Sequence, residues 1–190
     1  MESAIVQLGF AIIVSDEVHN AMRRLQLTIA NACGANPALK QTPHITLKQP
    51  FHARNLEPIE RYFDGLVTSI EPFEIHLSGF GHFEEDGVVF LDVAPEPRLE
   101  GLRLRLLREL SEQFGVAPRD IEDDRYRFHA TLAYGLTPEN LAKARELLAD
   151  EQVDLRFTTD TLALFYNTGE FWITYKRARI TPSPPGRGLG

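Results

Sequence analysis

The period of the apolar positions changes repeatedly along the chain, and each change marks an element. Residues 4–14 (AIVQLGFAIIV) are almost continuously apolar, the pattern of a buried strand. Ser15-Asp16 can cap a helix over about 16–33, with Val18, Met22, Leu25 and Ile29 on one face. Residues 43–49 read as a strand. A helix over 55–70 follows, with Ile59, Phe63, Leu66 and Ile70 inward. Strands over 73–80 and 88–93 are joined by Glu84-Glu85-Asp86-Gly87, a hairpin signal. The same order of periods then starts again. Leu99, Leu102, Leu106, Leu110 and Phe114 predict a helix over 97–114, and residues 127–134 a strand. Thr137-Pro138 opens a helix with Pro at its first position and Leu141, Ala144 and Leu148 inward. Strands over 153–165 and 171–180 flank the turn Asn167-Thr168-Gly169-Glu170.

Helix, strand, helix, strand, strand is thus written twice, at a nearly constant offset. Phe73 to Leu155 is 82 residues and Val88 to Phe171 is 83. The frame Pro43-His44-Ile45-Thr46-Leu47 returns as Phe128-His129-Ala130-Thr131-Leu132, with His44 and His129 85 residues apart. A repeat of this content predicts an α+β fold in one bilobal domain over 1–180, with lobes at about 16–95 and 97–180 and the strand 4–14 added. Two antiparallel sheets related by a pseudo-two-fold axis are expected, helices outside, with a central cleft. Residues 181–190 read as a flexible tail.

On an unbroken strand, alternate side chains share a face. Thr42, His44, Thr46 and Lys48 then oppose Ile45 and Leu47, while Arg127, His129, Thr131 and Ala133 oppose Phe128, Ala130 and Leu132. If the two faces meet, the cleft holds two imidazoles and two hydroxyls. Histidine titrates near neutrality, so one ring can take a proton while the other gives one. The hydroxyls can donate to the non-bridging oxygens of a phosphate. That set suits opening of a phosphodiester without a metal. Two strand histidines beside β-favouring threonines are also the bland reading, but it does not account for the duplicated frame. Two histidines with no carboxylate or thiolate beside them make a poor zinc site, so no metal and no other cofactor is expected.

Around this set, Lys48 and Arg127 share the histidine parity and are candidates for neutralising phosphate. Arg125 and Tyr126 extend Arg127 into a run, RYRFH, that could form the mouth of the cleft. Phe51, in a loop after Pro50, is a candidate for stacking on a base. Tyr134 has core parity and Trp172 is expected in packing. His76 is expected to face water, with His19, His52 and His82 on the surface, and the clusters EEDG (84–87) and EDDR (122–125) to be solvated turns.

The formal charge of −7 argues against non-specific coating of DNA or RNA, which requires a basic face. A nucleic-acid substrate would be a chain end or a small nucleotide. The chain has no apolar run of the roughly 18 residues that a membrane helix needs. Its start lacks a basic leader and a small-residue cleavage site. One cysteine, Cys33, excludes an internal disulfide. These points fit a cytoplasmic protein, and nothing calls for an obligate partner, so a monomer is expected.

The paired frames HITL (44–47) and HATL (129–132), in a duplicated chain of this size, resemble the two-histidine (2H) phosphoesterase superfamily. That group includes RNA 2′,3′-cyclic phosphodiesterases and proteins named 2′-5′ RNA ligases, and the resemblance covers roughly residues 4–180 in element order. It implies a bilobal sheet fold with a V-shaped cleft, acid–base catalysis by His44 and His129, and phosphate binding by Thr46 and Thr131. Family usage makes His44 the acid and His129 the base. The implied activity is metal-independent opening of a ribose 2′,3′-cyclic phosphate on an RNA end or small nucleotide. Reversible 2′-5′ RNA ligation and a non-catalytic nucleotide- or RNA-binding module are the alternatives.

Overall fold

The computed structural model describes residues 5–122 and 126–182. Ala4, Arg125 and the tail from Ser183 onward lie outside the described residues. Eight strands and four helices follow in the order β1 (Val6–Ile13), α1 (Asp16–Cys33), β2 (His44–Ala53), α2 (Leu56–Thr68), β3 (Glu74–Phe83), β4 (Val88–Val93), α3 (Pro97–Phe114), β5 (His129–Ala133), α4 (Pro138–Leu148), β6 (Asp154–Thr158), β7 (Thr161–Asn167) and β8 (Trp172–Arg179).

The helices form where capping and periodicity agree. Ser15 Oγ accepts from Val18 N at 3.4 Å to open α1, and Gly34, at φ 92°, closes it. Thr137 opens α4 the same way, accepting from Asn140 N at 3.3 Å. The last carbonyls of α1, which no helical N–H can reach, are met by α4. Asn140 Nδ2 donates to Cys33 O at 3.1 Å and Lys143 Nζ to Ala32 O at 2.6 Å. Each helix turns an apolar stripe onto one face of the sheet. Val18, Met22 and Ile29, then Ile59 and Phe63, then Leu99, Leu106 and Leu110 join Ile45, Leu47, Ala130 and Leu132 in one core.

All eight strands lie in one antiparallel sheet, ordered β6-β3-β4-β5-β2-β1-β7-β8, where two separate sheets were expected. The joint between its halves is slight: β2 and β5 pair only at Ile45↔Ala130. Each half of the sheet draws strands from both repeats, since β3 and β4 lie beyond β5, and β7 and β8 beyond β1.

The expected strand over 153–165 divides at Thr159-Asp160 into β6 and β7, which stand near opposite ends of the strand order. A two-residue link spans only about 7 Å, so the sheet must curl until its ends approach. The link is clamped on both sides. Thr159 N donates to Phe73 O at 2.7 Å, Phe73 N donates to Thr159 Oγ1 at 3.0 Å, and Ile180 N donates to Asp160 O at 2.8 Å. Neither residue is Gly or Pro, so the break carries no local signal. Among the described residues no helix is long and apolar enough to cross a membrane.

Candidate active site

The single pair Ile45↔Ala130 fixes the geometry of the concave face. Carried one residue either way, that antiparallel register sets His44 across from Thr131 and Thr46 across from His129. The two histidines become one diagonal of a square and the two threonines the other. In a regular antiparallel pair such diagonal neighbours stand about 7–8 Å apart. All four side chains line one cavity of about 210 Å³, together with Gln41, Gln49, Tyr134, Phe165 and Trp172 among others. The alternate residues Ile45, Leu47, Ala130 and Leu132 are fully buried on the helix side.

The two imidazoles are held alike. Nδ1 of His44 donates to the Thr42 carbonyl at 2.7 Å, and Nδ1 of His129 to the Arg127 carbonyl at 2.8 Å. A carbonyl can only accept, so each Nδ1 carries a proton and each Nε2 is left free for chemistry. His44 packs on Phe165 at 4.7 Å, and His129 on Phe90 at 4.9 Å and Phe83 at 5.2 Å. Burial pushes both pKa values below the ordinary 6.5. The charge on His129 lowers that of His44 further, as expected of two rings sharing a site. Arg127 lowers His129 and Asp92 raises it.

A bulge follows each motif. Against β1, Ala11 pairs with Thr46 and Phe10 with Lys48, so Leu47 is the extra residue. Against β4, Phe90 pairs with Thr131 and Val89 with Ala133, so Leu132 is the extra residue. A bulge reverses the alternation beyond it. That one cause corrects two expectations. Lys48 turns away from the cavity and is fully buried, 2.6 Å from Glu122. Tyr134, expected in the core, lines the cavity, as Gln49 does at the matching place in the first motif.

The other candidates separate. Phe51 is buried and stacked on Phe10 at 6.0 Å, so it is a core residue and not a base platform. Arg127 is exposed and held by Asp92, with Nε 3.0 Å from Oδ1 and a second contact from Nη2 to Oδ2; its guanidinium lies over Phe90 at 5.0 Å. It lines a different cavity, beside Asp92 and Pro95, and acts on His129 through charge. Tyr126 is drawn to β2, where its hydroxyl donates to the Thr46 carbonyl at 3.0 Å. Trp172, expected only in packing, packs against Ala11, Ile13, Ala163 and Phe165 and also walls the cavity. His76 is paired with Asp154 at 2.6 Å. Glu122, read as part of a solvated turn, is buried, and Asp123 and Asp124 lie outside the described residues.

Sequence reasoning missed the residues that satisfy carbonyls of β5. Because β2 and β5 pair at one point, carbonyls of β5 need other donors. Gln26 Nε2 donates to Thr131 O at 3.2 Å and Asn36 Nδ2 to Leu132 O at 2.8 Å. A signal existed: Gln26 is a polar residue four places after Met22 on the buried stripe of α1. Among the described residues no group of three or more His, Cys, Asp or Glu is placed to hold a metal ion.

Comparison with known proteins bears on the fold and the family. A family model described as the 2′-5′ RNA ligase superfamily matches residues 14–170. Among solved structures, E. coli LigT complexed with 3′-AMP has a TM-score of 0.68 at 18% identity, over 94% of this chain and 99% of that one. TT0787 of Thermus thermophilus has a TM-score of 0.68 at 20% identity, over 94% and 100% of the two chains. At these identities the likeness is one of fold. No curated protein gives a significant match.

Proposed function

The chain belongs to the 2′-5′ RNA ligase superfamily, and from that premise we propose that it opens a ribose 2′,3′-cyclic phosphate by paired-histidine acid–base catalysis. The observation that carries the reading is that His44, His129, Thr46 and Thr131 line one cavity. E. coli LigT, similar in fold, has been crystallised with 3′-AMP and with ATP.

In the hydrolytic direction, neutral His129 takes a proton at Nε2 from water, and the water oxygen attacks phosphorus. The bond from phosphorus to one ribose oxygen breaks. Protonated His44 delivers its Nε2 proton to that departing oxygen. The product is a phosphomonoester with the neighbouring hydroxyl free, and the two rings have exchanged protonation states. Thr46 and Thr131 donate to the non-bridging oxygens and keep attack and departure in line. The Nδ1–H bonds to Thr42 and Arg127 hold each ring in the tautomer this requires.

A second reading has support in the family's own description. Joining a cyclic phosphate end to a 5′-hydroxyl end only replaces water with that hydroxyl as the nucleophile: the same ring takes its proton and the other protonates the departing ribose oxygen, while cleavage of the joined product exchanges the two roles. A joined product from such ends would identify ligation.

The test is a panel of 2′,3′-cyclic phosphates with product position resolved, in excess chelator. Turnover is expected to persist there. The kcat/KM profile reports the free enzyme, and both histidine pKa values lie below 6.5. The bell is therefore expected to centre below that value. It falls on the acid side as the base is protonated and on the alkaline side as the acid loses its proton. A bell centred at or above about pH 7, or no turnover on any cyclic phosphate, contradicts the reading.

A further inference from the structure

We propose that Asp92 and Arg127 are positioning residues: their ion pair fixes the carbonyl that holds His129, and it makes unequal two rings that are otherwise held alike. This rests on the cyclic-phosphate reading above. His129 stands across from Asp92 in the register of β4 and β5, and the Asp92 carboxylate reaches Arg127, two residues before the ring. Nε of Arg127 donates to Oδ1 at 3.0 Å and Nη2 donates to Oδ2. The backbone carbonyl of the same Arg127 accepts the Nδ1 proton of His129 at 2.8 Å. A two-pronged contact between guanidinium and carboxylate is directional as well as strong. It ties down the residue whose carbonyl sets the tilt of the ring. The guanidinium also lies over Phe90 at 5.0 Å, and Phe90 packs on His129 at 4.9 Å. Gly81 of β3 leaves room for this stack: a Cβ there would collide with the Phe90 ring and stand 3.0 Å from Arg127 Nη2.

The first motif is tied without charge. Thr42, whose carbonyl holds His44, is joined to β8 by a hydrogen bond from Thr174 Oγ1 to Thr42 Oγ1 at 3.3 Å, and His44 packs on Phe165. Among the described residues, the charged and titratable groups that face His129 are Asp92 from β4, Arg127 from its own segment, and His44 and Tyr134, which line the cavity with it. From β3 the ring meets Phe83. Asp92 raises the His129 pKa and Arg127 lowers it. While the pair is intact the two charges oppose each other at the ring, and loss of either leaves the other uncompensated. Asp92 and Arg127 line a neighbouring cavity and not the one that holds the histidines. The pair therefore acts through His129 rather than on a phosphate bound between the rings.

The experiment follows the His129 ring by NMR titration, and kcat and KM for a nucleoside 2′,3′-cyclic phosphate, in wild type, Asp92→Asn, Arg127→Met and the double variant. D92N should lower the His129 pKa, R127M should raise it, and the double variant should return it toward wild type, with His44 moving less. The acid limb of kcat/KM reports the base, so it should move to lower pH in D92N and to higher pH in R127M. At the optimal pH, kcat should fall by up to about 10²-fold in each single variant, the cost of a misplaced group, with KM nearly unchanged. Arg127→Lys keeps the charge but not the fork, so it should restore the titration and only part of kcat. Loss of a contact that merely supports the strands would not move the ring in opposite directions. A His129 titration unmoved in both single variants, shifts of the same sign, wild-type kcat in both, or a loss confined to KM overturns the inference. If no cyclic phosphate is opened, only the catalytic reading fails, and the signs of the two titration shifts still decide whether the pair acts on His129.

Discussion

His129→Ala lowers the opening of a cyclic phosphate by about 10²- to 10⁴-fold, the usual contribution of a general acid or base, and His44→Ala lowers it by a similar amount. The double variant falls little further than either single one. Water needs its proton removed and the ribose oxygen needs one supplied in the same displacement, so loss of either ring disables both halves, and groups that act as a unit are non-additive. Steady-state rates of the four proteins check this. Because both rings sit at the cavity wall and not among the fully buried core residues, their loss should leave the melting temperature nearly unchanged. Losses that simply multiply would mean that the histidines act independently. Full turnover in both single variants would remove them from the chemistry.

Glu122→Ala has the largest expected effect on stability. The Glu122 carboxylate receives Lys48 Nζ at 2.6 Å, Gln49 N at 2.7 Å and Arg119 N at 2.9 Å, and its own carbonyl receives Arg103 Nη1 at 3.1 Å. The Lys48 and Glu122 side chains are 0% and 1% exposed. Removing one partner of such a pair leaves a buried charge uncompensated and costs about 3–5 kcal/mol, against a total stability of about 5–15 kcal/mol. Lys48→Met should cost less, because the carboxylate keeps the two backbone N–H groups whereas an orphaned lysine has no such substitute. Thermal unfolding of both variants checks the ranking. Burial already holds the Lys48 pKa below its ordinary value. In E122A the unfolded chain then binds the proton more readily than the folded one, and stability should rise as the solution is made more alkaline toward about pH 10.4. A wild-type melting curve in E122A would show that the pair is not structural.

The two predictions rest on parts of the molecule that differ in how readable they were. Paired HxTx frames at an 85-residue offset point to the four side chains that line one cavity, because a strand's alternation puts His and Thr on one face regardless of what surrounds it. Helices α1 and α3 were legible to the residue, since Ser15 and Gly34, and Pro97 and Gly115, punctuate strong apolar stripes. The bulges at Leu47 and Leu132 were not legible. Each depends on the neighbouring strand's register, which no local pattern records, and each re-aims the side chains that directly follow it. Lys48 went inward and Tyr134 outward for that reason. The interleaved strand order was hidden likewise, because the chain crosses between distant strands in two residues, Thr159 and Asp160, that look like strand interior. Glu122 sat in a charge cluster that composition assigns to solvent; only the approach of β2 to α3 buries it.

One phosphorus within reach of both rings is tested most directly by a crystal structure with a nucleoside 2′,3′-cyclic vanadate, whose five-coordinate metal mimics the displacement. Nε2 of His44 and Nε2 of His129 are expected at about 2.6–3.2 Å from two different oxygens of the same vanadium, with the hydroxyls of Thr46 and Thr131 on its remaining oxygens. A vanadate that contacts one histidine alone, or binds with both rings turned away, would contradict a shared anion pocket.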